Sequence, residues 1–148
     1  MNWIYYEGYE VTSLPEGVFG FIYILDLEDD KGNILSYIGK KQCIKEVKLP
    51  ALKNGKQRPN SIRKYKNKGG KRVYYDILVK ETDWKTYEGS SEFTTDMKII
   101  NKRILRWCYS KRELTYQEEK YLFTHNAIEA EDYLNVQIGN RYFRGRLR

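Results

Sequence analysis

Nitrogen and sulfur side chains able to hold a metal are few in this sequence. The 148 residues include one histidine, His125, and two cysteines, Cys43 and Cys108. That set builds neither a disulfide framework nor a zinc site of several histidines or paired cysteines, so any bound metal must be held by oxygen. The charges are segregated. The segment 40–80 carries fourteen Lys/Arg against two acids, Glu46 and Asp76, for +12, whereas the whole chain is +7 and the remainder therefore −5. With Tyr65, Tyr74 and Tyr75 interleaved, such a cluster suits displacement of counterions from a phosphate backbone. Lys40, Lys41, Lys53, Arg58, Arg63 and Arg72 are its candidate contacts. A second basic stretch closes the chain, where Arg141, Arg144, Arg146 and Arg148 alternate with Tyr142, Phe143 and Leu147, a candidate phosphate-gripping tail. Nucleic acid is the leading partner. The alternative is a solvated insertion whose lysines only keep the protein soluble.

The elements that must position these groups are those of a single domain spanning 1–148, with a basic insertion at about 40–80 and a basic tail at 141–148. Although mean hydropathy is low, 41% apolar and 15% aromatic residues supply a core. Residues 20–27 (Gly-Phe-Ile-Tyr-Ile-Leu-Asp-Leu) and 34–38 (Ile-Leu-Ser-Tyr-Ile) read as two strands of a hairpin around an Asp/Gly/Asn turn at 28–33. Pro50, Pro59 and Gly69-Gly70 make 40–71 a basic loop with at most a short local helix. A strand is expected at 73–79, a helix from about 92 to 101, and a third core strand at 104–109. Thr115-Tyr-Gln-Glu118 is a capping-box pattern that starts a helix running to about Ala130, with Glu119 bordering its apolar side near Leu122. The order β-β-α-α/β-α-β-α predicts an α+β fold: a small mixed, mainly antiparallel three-stranded sheet flanked by helices.

Here a resemblance enters. Gly20-Phe21-Ile22-Tyr23, with one inserted aromatic, and Tyr37-Ile38-Gly39 resemble the two name-giving motifs of the GIY-YIG nucleases. Asp83-Trp-Lys-Thr-Tyr-Glu-Gly-Ser-Ser91 resembles the loop before the second helix in phage-type members of that family. Glu119-Lys-Tyr-Leu-Phe123 resembles their acidic helix, and Tyr133-Leu134-Asn135 their terminal Tyr/Asn element. Together these span 20–135 in the expected order.

The resemblance implies a metal-dependent endonuclease that hydrolyses DNA phosphodiester bonds by water attack, in a homing or DNA-degrading role. Glu119 would hold a single Mg2+ or Mn2+, which needs few protein oxygens because the ion keeps its waters. Tyr23 would activate or orient the water, its phenolate favoured by the ammonium charges of Lys40 or Lys41, and Tyr37 would support the water or a phosphate oxygen. The family's catalytic Arg has no direct counterpart. Arg63, in a short helix after Pro59, is the first candidate, then Arg58, with Lys41 as a substitute cation. Asn135 would buttress the acid by hydrogen bonding, and His125 is a minor candidate proton carrier.

Two readings of other classes stay open: a non-catalytic nucleic-acid-binding module on the nuclease scaffold, and an adaptor whose basic face meets an acidic protein. The longest uncharged stretch near the start, 17–25, is nine residues, far short of the ~20 of a membrane-spanning helix. The opening residues show no secretory pattern, so a cytoplasmic protein, in a phage-infected bacterial host, is expected. Specificity would come from the basic insertion, the terminal arginines or a second subunit.

Overall fold

The computed structural model describes residues 1–89 and 96–145. The elements, in chain order, are β1 (Trp3–Tyr5), β2 (Glu10–Val11), β3 (Gly20–Glu28), β4 (Ile34–Gln42), β5 (Ile44–Pro50), β6 (Ile62–Lys68), β7 (Lys71–Glu81), β8 (Lys98–Cys108), α1 (Lys111–Thr124), β9 (Gln137–Ile138) and β10 (Tyr142–Phe143). They fall into two compact units, one of residues 1–43 and 83–148, the other of 44–82. Mixed α+β architecture and mostly antiparallel pairing hold, but the main sheet has five strands rather than three, in the order β2-β1-β8-β3-β4, and a single α-helix stands among the described residues.

In the first unit β3 lies between β8 and β4, and its nearly continuous apolar run reflects burial on both faces. Phe21, Tyr23, Leu25 and Leu27 point to one side with Trp3, Trp84 and Ile104. Ile22 and Ile24 point to the other, where Ile38, Leu114, Leu122 and Ile128 cover them. The β3–β4 hairpin is as expected, in unbroken register from Gly20↔Gln42 to Glu28↔Ile34. Its turn is closed by Asp29, whose carboxylate accepts from the backbone N–H of Lys31 and Asn33 at 2.9 and 2.8 Å.

Several expected elements differ. Residues 92–95 of the expected 92–101 helix lie outside the described residues, and from Lys98 the chain is already β8, antiparallel to β3. The β-branched run Ile99-Ile100 belongs with the 104–109 strand, and pairing to β3 overrides local helix propensity. The helix begins earlier than Thr115 and ends before Ala130. Ser110 is the N-cap, its hydroxyl accepting from the Glu113 N–H at 3.1 Å, and Glu113 accepts in return from the Tyr109 N–H at 3.3 Å. The stretch thus contains two Ser/Thr-x-x-Glu patterns, and the one that caps is the one nearer the end of β8.

The second unit is a three-stranded antiparallel sheet, β5-β7-β6: its central strand is the one expected at 73–79, whereas β5 and β6 stand where a loop with local helix was expected, and Arg63 is on a strand, not a helix. Its hub is Asp76, fully buried on the central strand. Arg63 Nε donates to Asp76 Oδ1 and Arg58 Nη1 to Oδ2, both at 3.0 Å. The Arg63 bond, more than any other contact, holds the carboxyl below its ordinary range. Arg63 also donates to the carbonyls of Gly55 and Lys56 at 3.0 and 2.9 Å, so one guanidinium ties the 51–61 loop to the sheet.

One core residue of the first unit is unusual. Lys102, on β8, is 1% exposed, and its Nζ has no hydrogen-bond partner among the described residues. It sits 4.5 Å above the Trp3 ring, and burial lowers its pKa below the usual 10.5, against an opposing pull from Glu88. The unfolded chain therefore binds this proton more tightly than the folded one, and stability should climb as pH rises toward 10.5. We predict that Lys102→Met raises stability at pH 7 by about 1–2 kcal/mol and removes that climb, read from melting temperatures between pH 7 and 10. A variant that melts lower, with the slope intact, would show the amine to be a net stabiliser.

Candidate active site

The hairpin register settles which motif residues share a side. Tyr23 faces Gly39, Leu25 faces Tyr37 and Phe21 faces Lys41, so Tyr23, Tyr37 and Lys41 lie on one face of the sheet. Ile38 and Lys40 lie on the other, with α1. The acidic helix and the tyrosine rings are therefore on opposite faces, and they meet only at the edge, around β4. There a cleft of about 380 Å3 is lined by Tyr37, Lys40, Thr115, Glu118, Glu119 and Asn135, among others.

Two carboxylates enter this cleft. Glu119 lies against Gly139, where a Cβ would come within 2.5 Å of its Oε1, so only glycine lets the backbone pass so near the acid. Glu118, expected only as a helix cap, is the other. Its Oε1 is 3.6 Å from Lys40 Nζ, which is also 3.4 Å from Thr115 Oγ1. Burial raises the Glu118 pKa, and the Lys40 ammonium pulls it back. Burial also raises the pKa of Tyr37, and the Glu118 charge adds to that. At Tyr23 the same charge contributes after burial and the neighbouring Tyr87 and Tyr37. Glu118, one position before the expected ligand, is thus the acid whose field reaches both phenols.

Tyr23 is 2% exposed and does not line the cleft. Its phenol lies over Gly39, where any Cβ would collide with the hydroxyl and come within 2.6 Å of Cζ, which explains a glycine at this point of the strand. Its hydroxyl is hydrogen-bonded to Tyr87, and its pKa is driven far above the ordinary phenol value. The expected phenolate is not supported, and Tyr23 is a neutral phenol. Lys41 does not come to its aid: Nζ is 2.6 Å from Asp83 Oδ1 and 4.1 Å above the Tyr87 ring, which anchors the 83–87 turn.

Asn135 is 5% exposed and acts on the backbone of β4. Its Oδ1 accepts from the Ile38 N–H at 3.0 Å, and its Nδ2 donates to the Ile38 carbonyl at 2.8 Å. It follows a short parallel addition to the β4 edge in which the Leu134 N–H donates to Ser36 O and the Ser36 N–H to Asp132 O, both at 2.8 Å. The amide stands in for the next strand residue and fixes Tyr37-Ile38-Gly39; the expected bond to the acid is replaced by this one.

The remaining candidates have other placements. Arg144 donates to the carbonyls of Asn135 and Ala130 at 3.0 Å, Ala127 at 2.6 Å and Tyr133 at 2.8 Å, and so clasps the loop that presents Asn135 rather than reaching outward. Arg141 is exposed, while Arg146 and Arg148 lie outside the described residues. His125 caps α1, with Nδ1 2.9 Å from the Tyr133 hydroxyl, and does not line the cleft. Arg58, Arg63, Arg72 and Lys53 belong to the second unit, where Asp76 already engages Arg58 and Arg63.

A family model described as "Putative endonuclease segE, GIY-YIG domain" matches residues 3–138. The chain belongs to the GIY-YIG endonuclease family. No curated protein and no solved structure gives a significant match. The family's chemistry is phosphodiester hydrolysis. In this GIY-YIG nuclease the first motif fills the centre of the sheet, and the second motif rims the cleft. Among the described residues no group of three or more His, Cys, Asp or Glu is gathered as a metal cage.

The Asn135 contact makes a measurable prediction. Asn135→Ala leaves both backbone groups of Ile38 unpaired and should cost about 1–3 kcal/mol in denaturant unfolding. Amide exchange at Ile38 should accelerate by more than at Ile24, on the neighbouring strand. Unchanged exchange at Ile38 would contradict the edge-pinning role.

Proposed function

We propose that this cleft hydrolyses DNA phosphodiester bonds with one divalent ion, Mg2+ or Mn2+. The observation that carries this reading is the convergence of Glu118, Glu119, Lys40 and Tyr37 in one cleft at the β4 edge. The donor set suits such an ion: two adjacent carboxylates, one of them kept near a cation, offer the few hard oxygens that Mg2+ accepts while retaining its waters. Glu118 would be the principal ligand and Glu119 the second. When bound, the ion would supply Lewis-acid polarisation of the phosphate and a lowered pKa for a coordinated water.

The chain's own groups would do the rest. Tyr37, a neutral phenol at the rim, can donate to a phosphate oxygen or accept from the attacking water. Tyr23 would hold Tyr87 and Tyr37 in place from below, a supporting role in place of general base. Lys40 would be the cation nearest the developing charge, since the guanidinium of Arg63 is engaged with Asp76. Lys41 would order the turn at Tyr87. Asn135 would hold the strand that carries Tyr37 and Lys40. The biological setting we infer is that of phage-type family members, homing on or degrading DNA in the cytoplasm of an infected cell.

Plasmid nicking in Mg2+ tests this. Wild type should nick, Glu118→Gln should lose about 100-fold or more of the rate, and Glu119→Gln should lose less. EDTA should abolish the reaction. Equal cleavage by wild type and Glu118→Gln would overturn the assignment of Glu118. No cleavage by wild type would favour the binding-module alternative.

A further inference from the structure

The second unit carries twelve Lys/Arg against three acids over 44–82, a net +9, while the rest of the chain sums to −2. Within that unit the charge has a definite shape. β5 pairs with β7 only as far as Pro50↔Tyr75. Beyond this point β6 and β7 pair with each other alone, from Tyr65↔Tyr74 through Lys66↔Val73 and Asn67↔Arg72 to Lys68↔Lys71. Gly69 and Gly70 close the ribbon, both at positive φ (58° and 79°), as a two-residue hairpin turn of the primed type requires. Every residue from Lys64 to Tyr74 is exposed, and this stretch holds five basic side chains and no acid.

A two-stranded ribbon exposed on both faces buries too little to be stabilised by its own packing. Alternation along the strands sorts its side chains. Tyr65, Asn67, Arg72 and Tyr74 share one face, and Lys64, Lys66, Lys68, Lys71 and Val73 share the other. On the first face the Tyr65 and Tyr74 rings pack 5.8 Å apart, and the Arg72 guanidinium lies 4.7 Å from the Tyr65 ring centre, which stiffens the strands and holds Arg72 next to Asn67. Arg and Asn are the side chains whose paired donors and acceptors match guanine and adenine edges, and the major groove, about 12 Å wide, admits a two-stranded ribbon.

We propose that the β6–β7 ribbon docks in the major groove of duplex DNA, with the Asn67/Arg72 face toward the base edges and Lys64, Lys66, Lys68 and Lys71 reaching the phosphates of the groove walls. This rests on the nuclease reading for its substrate and supplies the substrate-docking element that reading lacks. An acidic protein would satisfy the lysines but give the Asn67/Arg72 pair nothing to read. A single strand would be favoured by the tyrosines, yet Arg72 already covers one of those rings.

The test is binding of a 20-base-pair fluorescent duplex, and of one of its strands alone, to the full chain in EDTA, where no cleavage is needed. The quadruple variant Lys64→Gln/Lys66→Gln/Lys68→Gln/Lys71→Gln should lose about 100-fold or more in affinity at 0.1 M salt, and its slope of log affinity on log salt should shrink by up to about 0.9 per lost contact. Asn67→Ala/Arg72→Ala should weaken duplex binding at least fivefold with a smaller change of slope. Both variants replace exposed side chains, and an unchanged melting curve controls for folding. Equal duplex binding by wild type and the quadruple variant overturns the proposal, as does tighter binding of the single strand. A wild type that nicks plasmid while the quadruple variant binds normally overturns the ribbon alone. A wild type that binds through the ribbon but never nicks overturns the nuclease reading alone.

Discussion

An edge strand that carries reactive groups faces conflicting demands: its backbone must be paired, or it frays and invites other strands, yet its side chains must stay open to a ligand. β4 meets both through Asn135. One side-chain amide satisfies the N–H and the C=O of Ile38 where a continuing strand would have blocked the cleft with its own side chains. The backbone contacts at Ser36 lead into it, and Arg144 ties down the loop behind it. The positions of Tyr37, Lys40 and the two glutamates relative to one another depend on this junction, because the helix and the tyrosine rings otherwise occupy opposite faces of the sheet.

Gly39 imposes a second constraint. It leaves space for the Tyr23 phenol to lie across β4, and that burial moves the phenol still further from ionising. The motif tyrosine read from sequence as activating or orienting the water is packed in the core and hydrogen-bonded to Tyr87. The same burial that makes the first motif a good core strand makes it a poor place for a phenolate.

The hairpin from Gly20 to Ile38 was legible because strong β-formers flank an Asp/Gly/Asn turn, and local chemistry there agrees with the global fold. The helix boundaries were not, since Ser110 and Thr115 offer equivalent caps and only the end of β8 chooses between them. The part of Glu118 in the cleft was missed for a related reason. Leu114, Glu118 and Leu122 recur every four residues and share the stripe that faces the sheet, so a carboxylate on that stripe is the one drawn into the cleft edge. With the helix started at Thr115, Leu114 fell outside it and the stripe lost its first member. The strands of 44–68 were hidden by their lysines, at alternate positions in β6, which solvate an exposed sheet as well as they solvate a loop, and by a buried Asp76 whose guanidinium partners lie thirteen and eighteen residues away. Lys102 gave no sequence sign of burial beyond its place between Asn101 and Arg103.

The most direct measurement is nuclear magnetic resonance of the uniformly 15N-labelled chain titrated with Mn2+, whose unpaired electrons broaden only nearby signals. If Glu118 and Glu119 hold the ion at the β4 edge, the amides of Ile38, Lys40, Glu118, Glu119 and Gly139 should broaden first. Glu118→Gln should then need a several-fold higher Mn2+ concentration for the same effect. Broadening that begins at Asp29 or Glu129 and leaves Ile38 and Lys40 sharp would contradict a metal site in this cleft.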